Sequence, residues 1–216
     1  MYVVLLGAPG TGKGTQAEVI AAKYGWPHVS TGDMLREHVA QGTDLGKKAK
    51  SFMDAGALVP DELVISMLVE RIGRPDCRDG VVLDGFPRNL AQARALDEAL
   101  TTAGRSIDVV PLISVPDDEL VKRLGGRWLC RNCGAIYNEN ANPPKTPGKC
   151  DRCGGDLYQR DDDKPETVRA RLQQQKPPAD MVEHYRAQGK LVEIDGFQPV
   201  EAVTAALVKA IEGRRK

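Results

Sequence analysis

One stretch near the start constrains the fold of this chain more than any other. Gly7-Ala8-Pro9-Gly10-Thr11-Gly12-Lys13-Gly14-Thr15 follows a short apolar run, Tyr2–Leu6, and leads into a helix-length stretch, Gln16–Tyr24. An unbroken apolar run of this length reads as a strand buried on both faces, as in a parallel sheet. Glycines between such a strand and a helix let the backbone approach a phosphate with its N–H groups turned inward, and the helix start adds the positive end of its dipole. Lys13 supplies a point charge for terminal phosphates. The strict form of such a loop has Ser or Thr directly after the lysine. Here Gly14 stands in that place and Thr15 follows. Taken alone, the stretch is also a glycine-rich strand-to-helix turn; the lysine, the strand before and the helix after favour the phosphate reading.

The same strand type recurs at Val81–Leu83, which ends at Asp84, at Val109–Val115 and at Leu191–Ile194, with a weaker candidate at Pro27–Ser30. Helical stretches lie between them at 13–24, 33–41, 61–73, 89–103, 117–125, 165–174 and 200–212. Gly56 followed by Pro60 and Asp61 predicts one helix ending and another starting. Strands alternating with helices predict a parallel α/β sheet. Residues 127–163 break the rhythm with four cysteines, three prolines, clustered glycines and no helical period, so they read as an insert in a larger α/β domain.

The chain has 216 residues, enough for one domain and a small insert. Its 30 basic and 30 acidic residues cancel, which argues against a broad nucleic-acid or membrane-surface binder. No apolar run reaches the roughly 18 residues of a membrane span, and Met1–Leu6 lacks the basic flank of an export signal, so a cytosolic protein is expected. Five cysteines in such a chain fit reduced thiols. Cys130-x-x-Cys133, sixteen residues, then Cys150-x-x-Cys153 fits a four-cysteine zinc template, with Gly134 and Gly154 suited to the turns of two knuckles. Two disulfides or four buried thiols are the alternatives. Four protein ligands leave no open position, so the zinc is expected to be structural. A zinc ribbon can also signal nucleic-acid binding. Residues 127–163, however, carry six basic and six acidic side chains, and a neutral module lacks that electrostatic footprint. Cys77 has no partner in sequence and receives no function.

Two further motifs point to anions. In Ser30-Thr31-Gly32-Asp33-Met34-Leu35-Arg36, Ser30 or Thr31 can cap a helix, with Arg36 about one turn into it. That is an anion site or an ordinary cap beside a surface arginine. Asp84-Gly85-Phe86-Pro87-Arg88 sits at a strand's carboxyl end, where open α/β sheets bind ligands. A carboxylate there can hold Mg²⁺ through water, and Arg88 can fork onto phosphate oxygens; a plain turn with Asp84 as a cap is the alternative. Arginines cluster around the insert: Arg123 and Arg127 at its start, Arg160, Arg169 and Arg171 at or after its end. Phosphoryl transfer relies on placed charge, so a kinase should have such a set. Each arginine alone also fits a solvated face, and Arg169 is read that way.

Taken together, G-A-P-G-T-G-K-G-T, S-T-G-D-M-L-R and D-G-F-P-R resemble the adenylate kinases, in which Gly-Thr after the loop lysine is the usual form. The resemblance runs from the first strand to the Asp195-Gly196 turn and departs from the family pattern at Lys176-Pro177-Pro178. It implies a P-loop NTPase-type α/β fold with a five-stranded parallel sheet flanked by helices. The core would be 1–126 and 164–216, with a monophosphate-binding segment at 30–59 and a zinc-ribbon-like lid at 127–163, as in the bacterial long-lid form. The activity implied is Mg·ATP + AMP ⇌ 2 ADP, with lid closure over the nucleotides, in a cytosolic monomer that uses Mg²⁺ and a structural Zn²⁺ and binds neither nucleic acid nor membrane.

The resemblance also implies roles. Gly10, Thr11, Gly12, Lys13, Gly14 and Thr15 would hold ATP phosphates, Arg123 would stack on its adenine, Arg127 would clamp phosphate, and Gln198 would make a backbone contact. For AMP, Thr31 would lie near the base, Arg36 and Arg88 on the phosphate, Ala57, Leu58 and Val59 along the adenine, Gly85 in close backbone approach, and Gln92 at the adenine edge. Arg160 and Arg171 would join AMP when the lid closes. The catalytic set would be Lys13, Arg88, Arg123, Arg160 and Arg171, with Asp84 on Mg²⁺ through water, Asp162 and Asp163 aligning the lid arginines, and Cys130, Cys133, Cys150 and Cys153 on zinc. A related kinase acting on UMP, CMP or GMP, and a zinc-ribbon binding protein that uses its phosphate loop as a switch, remain as other readings.

Overall fold

The computed structural model describes residues 1–215 and all of their side chains except those of Pro165 and Glu166. In chain order its elements are β1 (Tyr2–Leu5), α1 (Lys13–Tyr24), β2 (His28–Ser30), α2 (Thr31–Gln41), α3 (Asp44–Asp54), α4 (Asp61–Ile72), β3 (Val81–Asp84), α5 (Leu90–Thr102), β4 (Val110–Ser114) and α6 (Asp117–Gly125). There follow β5 (Arg127–Cys130), β6 (Ile136–Asn138), β7 (Leu157–Tyr158), α7 (Pro165–Gln175), α8 (Ala179–Ala187), β8 (Leu191–Asp195) and α9 (Val200–Glu212).

All five expected strands form, and they pair in parallel. β3 lies between β1 and β2, with Leu5 opposite Asp84 and Ser30 opposite Asp84. β4 pairs with β8. Bridges Val3–Val109 and Leu6–Leu112 join β1 to β4, so the strand order is β2-β3-β1-β4-β8. Side chains alternate across a strand, and here both faces are apolar. Tyr2, Val4, Leu6, Val81 and Leu83 face a core roofed by α4, α5 and α8, while Val3, Leu5 and Val82 face one roofed by α1 and α9. Double-sided burial accounts for the unbroken apolar runs in the sequence.

The insert is a small antiparallel sheet in the order β6-β5-β7. It is tied to the end of α6 by Asn138 Nδ2 to the Arg123 carbonyl at 2.9 Å and Gln159 Nε2 to the Gly125 carbonyl at 2.7 Å. Two helices go beyond the expectations. α3 begins at a Thr43 cap that accepts from the Gly46 amide at 3.1 Å, and Gly46 packs so closely on α2 that a Cβ there would sit 2.1 Å from the His38 carbonyl oxygen. α8 starts right after Pro178, so Lys176-Pro177-Pro178, where the sequence departs from the family pattern, is a three-residue connection between two helices. Among the described residues no helix is long and apolar enough to cross a membrane.

Candidate active site

The glycine loop runs from the carboxyl end of β1 to the start of α1. Gly12 precedes the helix at φ +92°, a left-handed conformation that costs glycine little. No side chain caps α1, so its first amides remain open to an anion. Thr11 Oγ1 donates to the Ala8 carbonyl at 3.0 Å and closes the loop. Lys13 folds back over the loop, its Nζ donating to the Gly7 and Ala8 carbonyls at 2.9 and 2.8 Å. Thr15 follows in the first turn of α1. A Cβ on Gly14 would lie 3.6 Å from Asp84 Oδ2 and 4.0 Å from Ile136 Cδ1. Gly14 thus lies close to both the carboxylate of β3 and the insert, which lies over the loop, though a Cβ there would make only ordinary contact.

Asp84 ends β3 beside this lysine. Burial disfavours its charge, but His28 and Lys13 outweigh burial and hold the carboxyl at about 2. His28 Nε2, on the neighbouring β2, is 3.8 Å from Asp84 Oδ2, near enough for charge but beyond a hydrogen bond. Burial also pushes the Lys13 ammonium down to about 7, against the pull of Asp84 and with Arg88, Arg171 and Arg127 adding to it. Gly85, at φ +82°, turns the chain so tightly that a Cβ would meet Thr31 Oγ1 at 2.9 Å. Its carbonyl accepts from Arg88 Nε at 2.7 Å and from Thr31 Oγ1 at 2.9 Å. Ser30, not Thr31, caps α2, accepting from the Asp33 amide at 3.3 Å. Asn89, not Asp84, caps α5.

Next to Arg88 opens a cleft of about 570 Å³, part of it open to solvent. Thr31, Gly32, Arg36, Ala57, Leu58, Val59, Gly85, Arg88, Gln92, Asp162 and Arg171 line it, whereas Arg160, which the resemblance also assigns to AMP, is not in its wall. Leu35, Met53, Val64 and Gln175 complete the wall. Gln175 Nε2 donates to the Gly56 carbonyl at 2.6 Å and so joins the α3–α4 loop to α7.

The arginines at the two ends of the insert meet on one carboxylate. Asp163 is fully buried, and it accepts from Arg127 Nε and Nη2 at 2.7 and 2.5 Å and from Arg171 Nη1 at 2.6 Å. Asp162 Oδ2 lies 3.1 Å from Arg171 Nη1. Arg160 reaches across to Asp33 of α2 at 3.5 Å, while its buried Nε has no partner. Burial pushes Arg160 and Arg171 each down to about 10. It lowers Arg88 as well. A buried donor without an acceptor, among cations that disfavour one another, is an arrangement an anion relieves.

Arg123 and Gln198 stand at a second spot, the turn after β8. Arg123 donates to Glu119 Oε1 at 2.9 Å and to the Gly196 carbonyl at 3.3 Å. Gln198 Nε2 donates to Asp195 Oδ2 at 2.8 Å. Four residues were not singled out from sequence: His28, Asp33, Asp61 and Gln175. Only Asp33 carried a signal, as the acidic member of the S-T-G-D-M-L-R motif three residues before Arg36.

In the insert, the four Sγ atoms of Cys130, Cys133, Cys150 and Cys153 lie within 4.8 Å of one another. Cys130–Cys153 and Cys133–Cys150 are 3.4 and 3.6 Å apart, far beyond a disulfide bond. Thiolates around a tetrahedral ion at about 2.3 Å are about 3.8 Å from one another, so the donor set fits zinc. The two halves match: the Gly134 amide donates to the Cys130 carbonyl at 3.1 Å, and the Gly154 amide to the Cys150 carbonyl at 2.8 Å. Cys77 stays apart, buried, with Arg71 Nη1 3.1 Å from its sulfur.

A parallel sheet with a lysine-bearing glycine loop at its carboxyl edge, facing a set of largely buried arginines, defines a P-loop phosphotransferase. Comparison with known proteins narrows the class. The family model described as Adenylate kinase matches residues 5–190. A protein named "Adenylate kinase" from Archaeoglobus fulgidus is 53% identical over 213 residues, covering 98% of each chain. One of the same name from Agathobacter rectalis is 53% identical over 211 residues, 96% of this chain and 98% of its own. Another, from Symbiobacterium thermophilum, is 48% identical over 216 residues and the whole of both chains. The chain belongs to the adenylate kinase family and is an enzyme of that family.

Proposed function

We propose that this chain transfers the terminal phosphoryl group of Mg·ATP reversibly to AMP, giving two ADP, with core, monophosphate segment and lid divided as 1–126 with 164–216, 30–59 and 127–163. The observation that carries the assignment of roles is which polar groups are buried. Among the described residues seven polar or charged side chains are buried: Thr11, Lys13, Gln16, Thr31, Gln92, Asp163 and Arg171. Burying such groups costs stability unless they are paired or used. Gln16 is accounted for by bonds to the Val200 carbonyl at 3.1 Å and Thr204 at 2.8 Å, which fasten α1 to α9. The other six belong to the loop, the cleft or the lid arginines.

In this reading the loop amides from Gly10 to Thr15 and Lys13 hold the ATP phosphates. Arg123 and the backbone at Gln198 receive the adenine end. Thr31, Ala57, Leu58, Val59 and Gln92 enclose the AMP base, while Arg36 and Arg88 bind its phosphate from either side of Gly85. That phosphate is already ionised and attacks in line, so no protein nucleophile or strong base is needed. Lys13, Arg88, Arg123, Arg160 and Arg171 neutralise the moving group, with Arg127 clamping phosphate beside them; in its absence Asp33 pairs with Arg160, Asp162 and Asp163 with Arg171, and Asp163 with Arg127. Asp84, ionised and beside Lys13, would hold Mg²⁺ through water; the bound ion adds charge neutralisation on the phosphates. The four cysteines would hold a structural zinc. Lid closure keeps water from the phosphoryl group. The same reading makes the protein a cytosolic monomer.

The test is a coupled assay for ADP formation with Mg·ATP and each of AMP, UMP, CMP and GMP at equal concentration. Strong turnover with AMP alone is expected. Preference for another monophosphate would overturn the assignments of Thr31 and Gln92, and turnover with none would overturn the reaction.

A further inference from the structure

Gln92 is 2% exposed at the start of α5, on the wall of the cleft assigned above to the AMP base. A glutamine amide can face a base in two orientations that exchange oxygen and nitrogen. Here two neighbours decide between them. The backbone N–H of Arg88, which can only donate, lies 2.7 Å from Gln92 Oε1. Asp61, the first residue of α4, accepts from Gln92 Nε2 at 2.6 Å through Oδ1. Turning the amide over would set its NH₂ against a backbone N–H and its oxygen against a carboxylate, two repulsive contacts in a buried place.

Asp61 is itself held. Asn89 Nδ2 donates to both of its oxygens, at 3.0 and 2.9 Å. Asn89 cannot turn over either, because its Oδ1 accepts the Gln92 amide at 2.8 Å as the cap of α5. The starts of α4 and α5 are thereby joined through one carboxylate, 31 residues from the glutamine it orients.

After these contacts the Gln92 side chain keeps one N–H and one oxygen lone pair unspent. Adenine presents an acceptor at N1 and a donor at N6, which match that pair. Guanine and hypoxanthine present N1–H and O6, which match only the turned-over amide. We propose that Asp61 is a specificity-positioning residue, which selects a 6-amino over a 6-oxo purine monophosphate by fixing the orientation of the Gln92 amide. The proposal rests on the reading of the cleft as an AMP site with Gln92 at the base.

The test compares kcat/KM for AMP with kcat/KM for inosine monophosphate, two purines that differ at this edge, at saturating Mg·ATP. Asp61→Asn replaces an obligatory acceptor by a group that can also donate, so the Arg88 N–H alone is left to hold the Gln92 orientation. The AMP-to-IMP ratio is expected to fall about tenfold or more, with KM for ATP unchanged. Asp61→Leu, which removes the acceptor altogether, should lower the ratio likewise and serves if the Asn variant loses its fold. A merely structural role would move both substrates together and leave the ratio where it was. Gln92→Leu separates the two layers of the argument. If it collapses the ratio while neither Asp61 variant does, the role of Asp61 is overturned and the cleft assignment stands. If the ratio survives Gln92→Leu as well, the assignment of Gln92 to the base falls, and this proposal with it.

Discussion

The core and the lid meet at one cleft, lined by core residues and by Asp162 of the insert, yet they are held together by different physics. The core sheet is roofed on both faces by helices, and the core's three clusters draw buried apolar residues from every strand of that sheet and from all nine helices described. The lid's own cluster consists of Cys130, Ala135, Tyr137 and Cys150, with Trp128 and Leu157 packed against it. Two of those four buried residues belong to the cysteine set. An element with so little apolar surface cannot offset the entropy of its own folding, and a metal on the four cysteines would supply what burial does not. The core can therefore carry its site residues on a packed scaffold and orient them by local hydrogen bonds, such as those of Gln92 and Arg88. The lid would place them by a metal on its four cysteines at one end and by the ion pairs of Arg127, Asp163 and Arg171 at the other, where it rejoins the core.

The largest expected effect breaks the site without touching either scaffold. Lys13→Met should lower kcat by at least about a hundredfold, with circular dichroism unchanged, since the secondary structure loses only the side-chain bonds to the Gly7 and Ala8 carbonyls and the aliphatic stem stays buried. Turnover near that of the parent chain would remove Lys13 from the transition state.

The next effect falls at the seam between the two regions. Asp163→Ala leaves Arg127 and Arg171 without their shared buried partner. Its expected cost in unfolding free energy is about 3–5 kcal/mol, measured by urea denaturation. A loss below about 1 kcal/mol would mean the seam is held by something other than this carboxylate.

Metal removal then separates the regions. Trp26 stands in the core, stacked on Tyr24 at 4.5 Å, and Trp128 in the lid, donating to Glu139 at 2.7 Å. In a Trp26→Phe background the fluorescence reports the lid alone. Chelation, or Cys130→Ser, should lower the melting temperature of that signal by more than about 5 °C and move the core's far-ultraviolet signal less. Equal melting of metal-free and zinc-loaded protein would contradict a structural role for the ion.

The same contrast governs what was legible in the sequence. Loop, strands and most helices were read directly, because the phosphate motif is local and burial on both faces writes unbroken apolar runs. The strands of the lid were not: β6 and β7 are three and two residues long, too short to show alternation. α8 was hidden because Pro177-Pro178 resembles a loop, whereas a proline just before a helix is well tolerated there. In the site, residues adjacent in sequence were legible as motifs, and the arginines only through family resemblance. The partners that orient them are distant in sequence: Asp163 is 36 residues from Arg127, and Asp61 is 31 from Gln92. No periodicity or spacing carries such pairs. They are set by how the sheet brings its carboxyl edge, α4 and the lid's return together.

The smallest effect is electrostatic and belongs to the core side of the comparison. Lys13 sits at about 7 in the folded chain, against an ordinary 10.5. Between those values the unfolded chain holds a proton that the native chain has released, so native stability rises with pH across that window; below pH 7 the cost of the buried ammonium is present in full. Asp84, held at about 2, acts at the other end: its contribution is complete above the ordinary 3.8 and is lost as the pH falls through 2. Phosphate beside Lys13 favours the ammonium and pulls its pKa back up. Binding of Mg·ATP at pH 8 should therefore take up protons, read as a difference in calorimetric heat between two buffers of unlike ionisation enthalpy. Lys13→Met should take up fewer. Equal uptake by both chains would assign the titrating group elsewhere, and would leave the lid arginines, rather than the loop lysine, as the side of the site that responds electrically to the nucleotide.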